Sequence, residues 1–331
     1  MDADIASPAA EALPRDAAGV HAPLLLHIGF HKTASTWLQA NLFDDGALGF
    51  TARFGGPRHQ LVADIVRPDP LFFDPACVRT RYAPFLDDAG AAGRTLVLSH
   101  ERFSGYPSSG GRDRQMIAER LAATFPQARI LIVIREQHAV IRSMYSQHVT
   151  DGGVEGIARF LAPAEPYLLR RPGFRREFYA YNRLIDLYAR LFGRDRVLVL
   201  PFELLAREPS CFAGAIARHC GQPATPVLAN GRVNVARPLL MQWVQRPLNM
   251  LFYHNELSPG ALFHISRFHK RYARLAPLFR AISPGAVERR LDRGLRQAIA
   301  AHVGGYYAHS NALTQAHVEH DLRSLGYQVG E

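Results

Sequence analysis

The chain has 331 residues, 48% of them hydrophobic and 21% charged, a balance that can bury a sizeable core and that excludes wholesale disorder. Lys and Arg exceed Asp and Glu by ten, a surplus that favours anionic partners such as nucleotides, nucleic acid, acidic glycans or anionic lipid. Mean hydropathy is −0.09, and no apolar run approaches the roughly 18 residues of a membrane helix, so no membrane span is expected.

In chain order, residues 1–22 are rich in Ala, Asp and Pro without the basic start and apolar core of a secretory signal, and read as a flexible tail. The remainder, 23–331, reads as a single domain. A strand is predicted at 24–28, then a loop and a helix from about 34 to 44. Residues 52–93 are rich in Pro and Gly and predict short helices mixed with loops. A strand at 95–99 leads through a polar loop to a helix near 111–125, and a strand at 129–134 runs into a helix at 136–150. Phe174, Phe178, Tyr181, Leu184, Ile185, Tyr188 and Phe192 recur at helical spacing over 174–192. A last strand is expected at 196–200, followed by helical patterns broken near Pro223, Pro247, Pro259, Pro277 and Pro284. Strands alternating with helices predict an α/β fold, a central parallel sheet flanked by helices with a helical C-terminal cover. Ligands of such sheets bind beyond the carboxyl ends of the strands. Three of the four predicted strands end there in reactive residues: His31 and Lys32, His100 and Glu101, and Arg135.

The cysteines, Cys77, Cys211 and Cys220, show no CxxC spacing or disulfide framework, which suits a reducing, cytoplasmic compartment. Fifteen histidines include no HExxH or His-x-His cluster, so no metal site is expected. Only two of the 39 cations are lysines, Lys32 and Lys270, and Lys32 stands in a loop of small hydroxyl residues. That loop, Gly29-Phe30-His31-Lys32-Thr33-Ala34-Ser35-Thr36-Trp37, joins a buried strand to a helix. Backbone N–H groups and a helix N-terminus converge there, which suits a phosphate or sulfate. Lys32 adds a point charge, and Thr33, Ser35 and Thr36 add hydroxyl donors. The ATP-binding pattern GxxxxGK[ST] is not met.

Gly-x-His-Lys-Thr-x-Ser-Thr-x-x-Leu-Gln resembles the 5′-phosphosulfate loop of sulfotransferases that use 3′-phosphoadenosine 5′-phosphosulfate (PAPS), closest to their bacterial and carbohydrate-type branch, with Ala34 where the family usually has Gly. The strand end at Arg135, with Ser143 eight residues on, resembles the family's 3′-phosphate site, although Glu136 and Gln137 replace the usual Asp or Asn and Pro. Val197-Leu-Val-Leu-Pro-Phe-Glu203 and Tyr307-Ala-His-Ser-Asn311 resemble further family segments. The resemblance implies the P-loop-like sulfotransferase fold and PAPS as co-substrate without a metal. The donor would be held by His31, Lys32, Thr33, Ala34, Ser35, Thr36, Trp37, Arg135 and Ser143. Trp37 and Phe202 are candidates for adenine contact, and Arg232 and Asn234 for a late loop over the 3′-phosphate.

Sulfuryl transfer needs a base for the acceptor hydroxyl and a cation on the leaving oxygen. Lys32 suits the leaving side. His100 and Glu101 are both base candidates, and Glu101 is preferred because the rest of the chain resembles the branch that uses Glu. The acceptor is expected to be a glycan or small molecule with a hydroxyl. A nucleotide kinase or other phosphoryl-transfer enzyme is the alternative, without the GK[ST] it would need. A non-catalytic polyanion binder is the second alternative, but Arg is scattered rather than interleaved with aromatics, and no nucleic-acid partner is expected.

Overall fold

The computed structural model describes residues 23–162, 174–222, 237–255, 257 and 260–330, so the expected N-terminal tail lies outside the described residues. Five strands form one parallel sheet in the order β2-β3-β1-β4-β5: β1 (Leu24–Gly29), β2 (Phe50–Thr51), β3 (Thr95–Ser99), β4 (Arg129–Ile134) and β5 (Val197–Pro201). The helices are α1 (Ser35–Asn41), α2 (His59–Leu61), α3 (Pro75–Ala91), α4 (Arg114–Thr124), α5 (Gln137–Thr150), α6 (Ile157–Leu161), α7 (Tyr181–Phe192), α8 (Phe202–Arg207), α9 (Pro209–His219), α10 (Leu239–Phe252), α11 (Phe268–Ala273), α12 (Ala276–Ile282), α13 (Gly285–Val303) and α14 (Ala308–Gln315).

The aliphatic strands are covered on both faces, as parallel strands usually are. Successive side chains alternate sides. Leu24, Leu26, Ile28, Leu96, Leu98, Ile130, Ile132 and Ile134 join one apolar cluster. Leu25, Val97, Leu131 and Val133 join the other. The register pairs Leu26 with both Leu98 and Ile130, His27 with Ser99, and Gly29 with Val133. With β1 between β3 and β4, the segments after Gly29, Ser99 and Ile134 emerge side by side at one sheet edge.

Several expectations need correction. β2 has only two residues, paired with β3, too few for periodicity to show. The stretch 52–93 contains the 17-residue α3, capped by Asp74, whose carboxylate accepts from the Ala76 N–H, and started by Pro75. Its buried residues are only Val78, Tyr82 and Ala89, so its apolar stripe is faint. Pro247 lies inside α10 rather than breaking it. The carbonyl it leaves unbonded is that of Trp243, a residue on the exposed side where water can serve it. Pro277 and Pro284 stand at helix starts instead, and Pro223 and Pro259 lie outside the described residues. Phe174 and Phe178 are buried as expected but precede α7, Phe178 within a 3₁₀ turn at Arg176–Tyr179.

The expected helical cover is present. α10, α11 and α12 share a small core of Met241, Phe268 and Tyr272. Gln245 and Asn249 fasten α10 to the end of α5 by donating to the Val149 carbonyl, at 3.2 and 2.8 Å. The C-terminal segment ties back to the sheet edge. Asn311 and Gln137 exchange side-chain amide bonds at 2.6 and 3.1 Å, and Tyr327 Oη donates to Glu203 Oε2 at 2.9 Å. The three cysteines are free thiols. Among the described residues no helix is long and apolar enough to cross a membrane, and no group of His, Cys, Asp and Glu could hold a metal.

Candidate active site

Gly29 ends β1 where a Cβ would come within 2.5 Å of Ser35 Oγ and 3.0 Å of the His27 ring, so only glycine lets the start of α1 approach the strand. The loop then turns through two left-handed residues, Lys32 at φ 68° and Ala34 at φ 65°. Ala34 thus holds the kind of conformation that glycine adopts freely. Thr33 is fully buried and its hydroxyl donates to the Phe30 carbonyl at 2.5 Å, closing the turn within the loop. Ser35 is buried, Thr36 is exposed, and Trp37 is partly buried against the apolar cluster that also receives Ala34 and Phe202.

Lys32 Nζ donates to Gln147 Oε1 on α5 at 2.6 Å. Burial holds its ammonium below the usual lysine value, opposed by Glu101 and Asp151 and reinforced by Arg135 and Arg237. Gln147 in turn donates to Asp151 Oδ1 at 2.6 Å. Ser143 stands one turn before Gln147, on the face of α5 that meets Lys32. Arg135 joins the lysine loop to the end of β4 physically, because its Nη1 donates to the Lys32 carbonyl at 3.0 Å. Its guanidinium lies 4.6 Å from the Phe202 ring centroid, and Tyr181 Oη donates to its carbonyl at 2.6 Å. Glu136, in place of the family's shorter residue, caps α5 by accepting from the His138 and Ala139 N–H groups. Its own N–H donates to Glu203 Oε1 at 3.0 Å.

At the end of β3 the two base candidates diverge. His100 Nδ1 accepts from the Arg102 N–H at 3.1 Å. Burial, with Arg102 and Arg58, lowers its pKa to about 4. Glu101 has a side chain 47% exposed and lies 4.0 Å from His31 Nε2. Burial raises its carboxyl above the ordinary value, against the pull of Lys32 and Arg102. His31 is itself held neutral, lowered to about 3 by burial and by Arg102, His100 and Lys32.

The structure therefore gathers His31, Lys32, Glu101, Arg135 and the Ser143 face of α5 at one sheet edge, with Trp37 and Phe202 along the flanking apolar cluster. Arg232 and Asn234 lie outside the described residues. Sequence reasoning missed Gln147, which accepts from Lys32, and Asp151, which accepts from Gln147 and whose charge supports the ammonium. Their spacing from Ser143, four and eight residues along the same helical face, is the signal that would have found them.

Residues 114–226, about a third of the chain, match the model of the sulfotransferase family. The match bears out the resemblance drawn from the sequence and with it the class, a sulfotransferase enzyme. Among solved structures, the chain is similar to a sulfotransferase from Alicyclobacillus acidocaldarius, at 18% identity over 75% of this chain and 98% of that one, with a TM-score of 0.43. It is also similar to the sulfotransferase domain of the Synechococcus PCC 7002 olefin synthase, at 18% identity over 88% of this chain and 98% of that one, with a TM-score of 0.40. A search of curated proteins found no match.

Proposed function

We propose that the chain moves the sulfuryl group of PAPS to a hydroxyl of a carbohydrate, glycolipid or other small acceptor, in the cytoplasm. The observation that carries this reading is the bond from Arg135 to the Lys32 carbonyl, which makes the lysine loop and the arginine strand end one anion-binding unit. Three buried polar atoms of that unit, His31 Nδ1, Ser35 Oγ and Arg135 Nε, have no hydrogen-bond partner among the described residues. Buried polar groups are ordinarily satisfied, and an anion with several oxygens would fit them.

In this reading residues 31–36 hold the 5′-phosphosulfate and Arg135 with Ser143 holds the 3′-phosphate. Trp37 and Phe202 offer apolar faces to adenine. Arg232 and Asn234 are assigned to the 3′-phosphate from the sequence resemblance alone. Glu101 accepts the proton as the acceptor oxygen bonds to sulfur. The bond from sulfur to the bridging oxygen breaks in line, and its electron pair leaves with adenosine 3′,5′-bisphosphate. Lys32 stabilises the charge that develops there, where a preorganised cation is most effective. Glu101 is the base in this reading, since burial raises its carboxyl while burial lowers His100 to about 4. The His100 ring is also engaged with the Arg102 amide.

The test is incubation with PAPS and a panel of hydroxyl acceptors, read by the mass gained, together with thermal unfolding in adenosine 3′,5′-bisphosphate. A ligand at a hundredfold excess over Kd stabilises the native state by about 2.7 kcal/mol. Adenosine 5′-monophosphate should stabilise less because it leaves Arg135 and Ser143 uncontacted. No shift with the bisphosphate at millimolar levels would refute the donor assignment.

A further inference from the structure

We propose that an open cleft between α5, α10, α12 and α13 is a subsite for an acidic group of the acceptor, so that the hydroxyl to be sulfated belongs to a molecule already bearing a carboxylate, phosphate or sulfate. The word acceptor rests on the sulfotransferase reading above; the anion site itself rests on the cleft.

The cleft has a volume of about 430 Å³, within the roughly 300–1,000 Å³ of small-molecule sites. Its charged lining is Arg142, Arg237, Arg280, Arg289, Glu288 and Asp292. Both acids already have partners. Asp292 is held by Arg142 at 2.6 Å and by Arg296 at 2.7 Å. Glu288 caps α10, accepting from the Leu239 and Leu240 N–H groups at 2.8 and 3.0 Å. Arg237 donates to the Thr150 hydroxyl at a long 3.4 Å, and neither it, Arg280 nor Arg289 forms an ion pair among the described residues. Ser283 adds a buried hydroxyl with no partner among them. Three guanidinium groups without an ion pair among the described residues come from separate segments to one concavity whose lining, four arginines against two carboxylates, is net positive, and such planar forks suit bidentate oxyanions. A solvated basic face would spread them along one surface.

The cleft also adjoins the reaction edge. Arg142 precedes Ser143 on α5, and Arg237 bonds to Thr150, three residues beyond the Gln147 that holds Lys32. The charge of Arg237 is felt at Lys32 itself. An acceptor anchored in the cleft by its acidic group would extend along α5 toward Lys32 and Glu101.

The decisive comparison is the native chain against the variant Arg280→Ala/Arg289→Ala. Both side chains are exposed, so the fold is expected to stand. With the donor site filled by adenosine 3′,5′-bisphosphate, inorganic phosphate is titrated by calorimetry at fixed ionic strength. The variant should bind it about tenfold more weakly or worse, with unchanged affinity for the bisphosphate. In the second arm, a glucuronide and a glucoside of the same aglycone compete as acceptors. The native chain should favour the acidic one by about tenfold or more in kcat/KM, and the variant should lose that preference through KM while its kcat on the neutral acceptor stays the same. Phosphate binding equal in both chains would overturn the cleft as an anion site. Phosphate binding lost in the variant but no native preference for the glucuronide would make it a free-anion site and overturn the acceptor assignment. Absence of transfer from PAPS to any acceptor would refute the proposed function, while the titration still decides the cleft.

Discussion

Lowering the pH from 7 to 5 should cost the fold about 4 kcal/mol through two histidines, His27 and His31. His27 is fully buried on β1, with Nδ1 2.7 Å from Ser99 Oγ, and burial lowers its pKa to about 3. His31 is lowered to about 3 by burial first and then by Arg102, His100 and Lys32. Unfolded, both titrate near 6.5. Between those values the unfolded chain binds a proton that the folded chain refuses. The stability is therefore present in full above pH 6.5 and drains as pH falls. At pH 5 each group has lost about 2 kcal/mol, against a typical total of about 5–15 kcal/mol. His100 and His219, lowered to about 4 by burial, add to this loss, while Glu101 and Glu203, raised by burial, act in the opposite direction and trim it. The assay is urea unfolding by tryptophan fluorescence at pH 7 and pH 5, for the native chain and for His27→Gln. Replacing His27 should remove about 2 kcal/mol of the pH dependence and leave the shares of the other buried histidines in place. Equal stability at the two pH values, or a full dependence in His27→Gln, would show that these rings are not buried neutral.

Lys32→Ala is expected to lower kcat by about 10²–10³ with little change in donor KM, while Arg135→Ala raises donor KM; steady-state kinetics with PAPS separates them, and a normal kcat in Lys32→Ala sinks the division. Glu101→Gln should lose about 10²–10⁴ in rate and His100→Asn less, with the reverse order moving the base to His100. The rate should rise through a Glu101 pKa above 4.5 and fall through a Lys32 pKa below 10.5, and Glu101→Gln should draw the alkaline limb lower because it removes a charge that supports the ammonium. Ala34→Gly relieves a left-handed conformation costing about 1–2 kcal/mol and adds about 0.5–1 kcal/mol of unfolded-chain freedom; urea midpoints should show no loss or a small gain, and a clear destabilisation would contradict the positive φ.

Buried strands were legible because parallel strands are apolar on both faces, and four of the five appear as aliphatic runs. The lysine loop and Arg135 were legible because each follows such a run directly. What stayed hidden depends on contacts between distant segments. The bond from Arg135 to the Lys32 carbonyl spans 103 positions and follows from β1 and β4 being neighbours. The burial of Thr33 depends on the turn closing on Phe30. The cleft arginines come from a helical region whose stripes give no order of packing. α3 was missed because Pro84 and a sparse buried stripe mask a helix that Asp74 and Pro75 start well.

The ties from Asn311 to Gln137 and from Tyr327 to Glu203 bear on the order in which the molecule comes into being. A ribosome delivers β1, β3, β4 and β5 long before residues 311 and 327. The sheet edge that carries Lys32 and Arg135 can therefore assemble while the buried amide of Gln137 and one oxygen of Glu203 still await their late-made partners. The corner behind Arg135 is thus the last part of the sheet edge to set, and a nascent chain halted near residue 300 would display the lysine loop without the brace that fixes the Arg135 side of it.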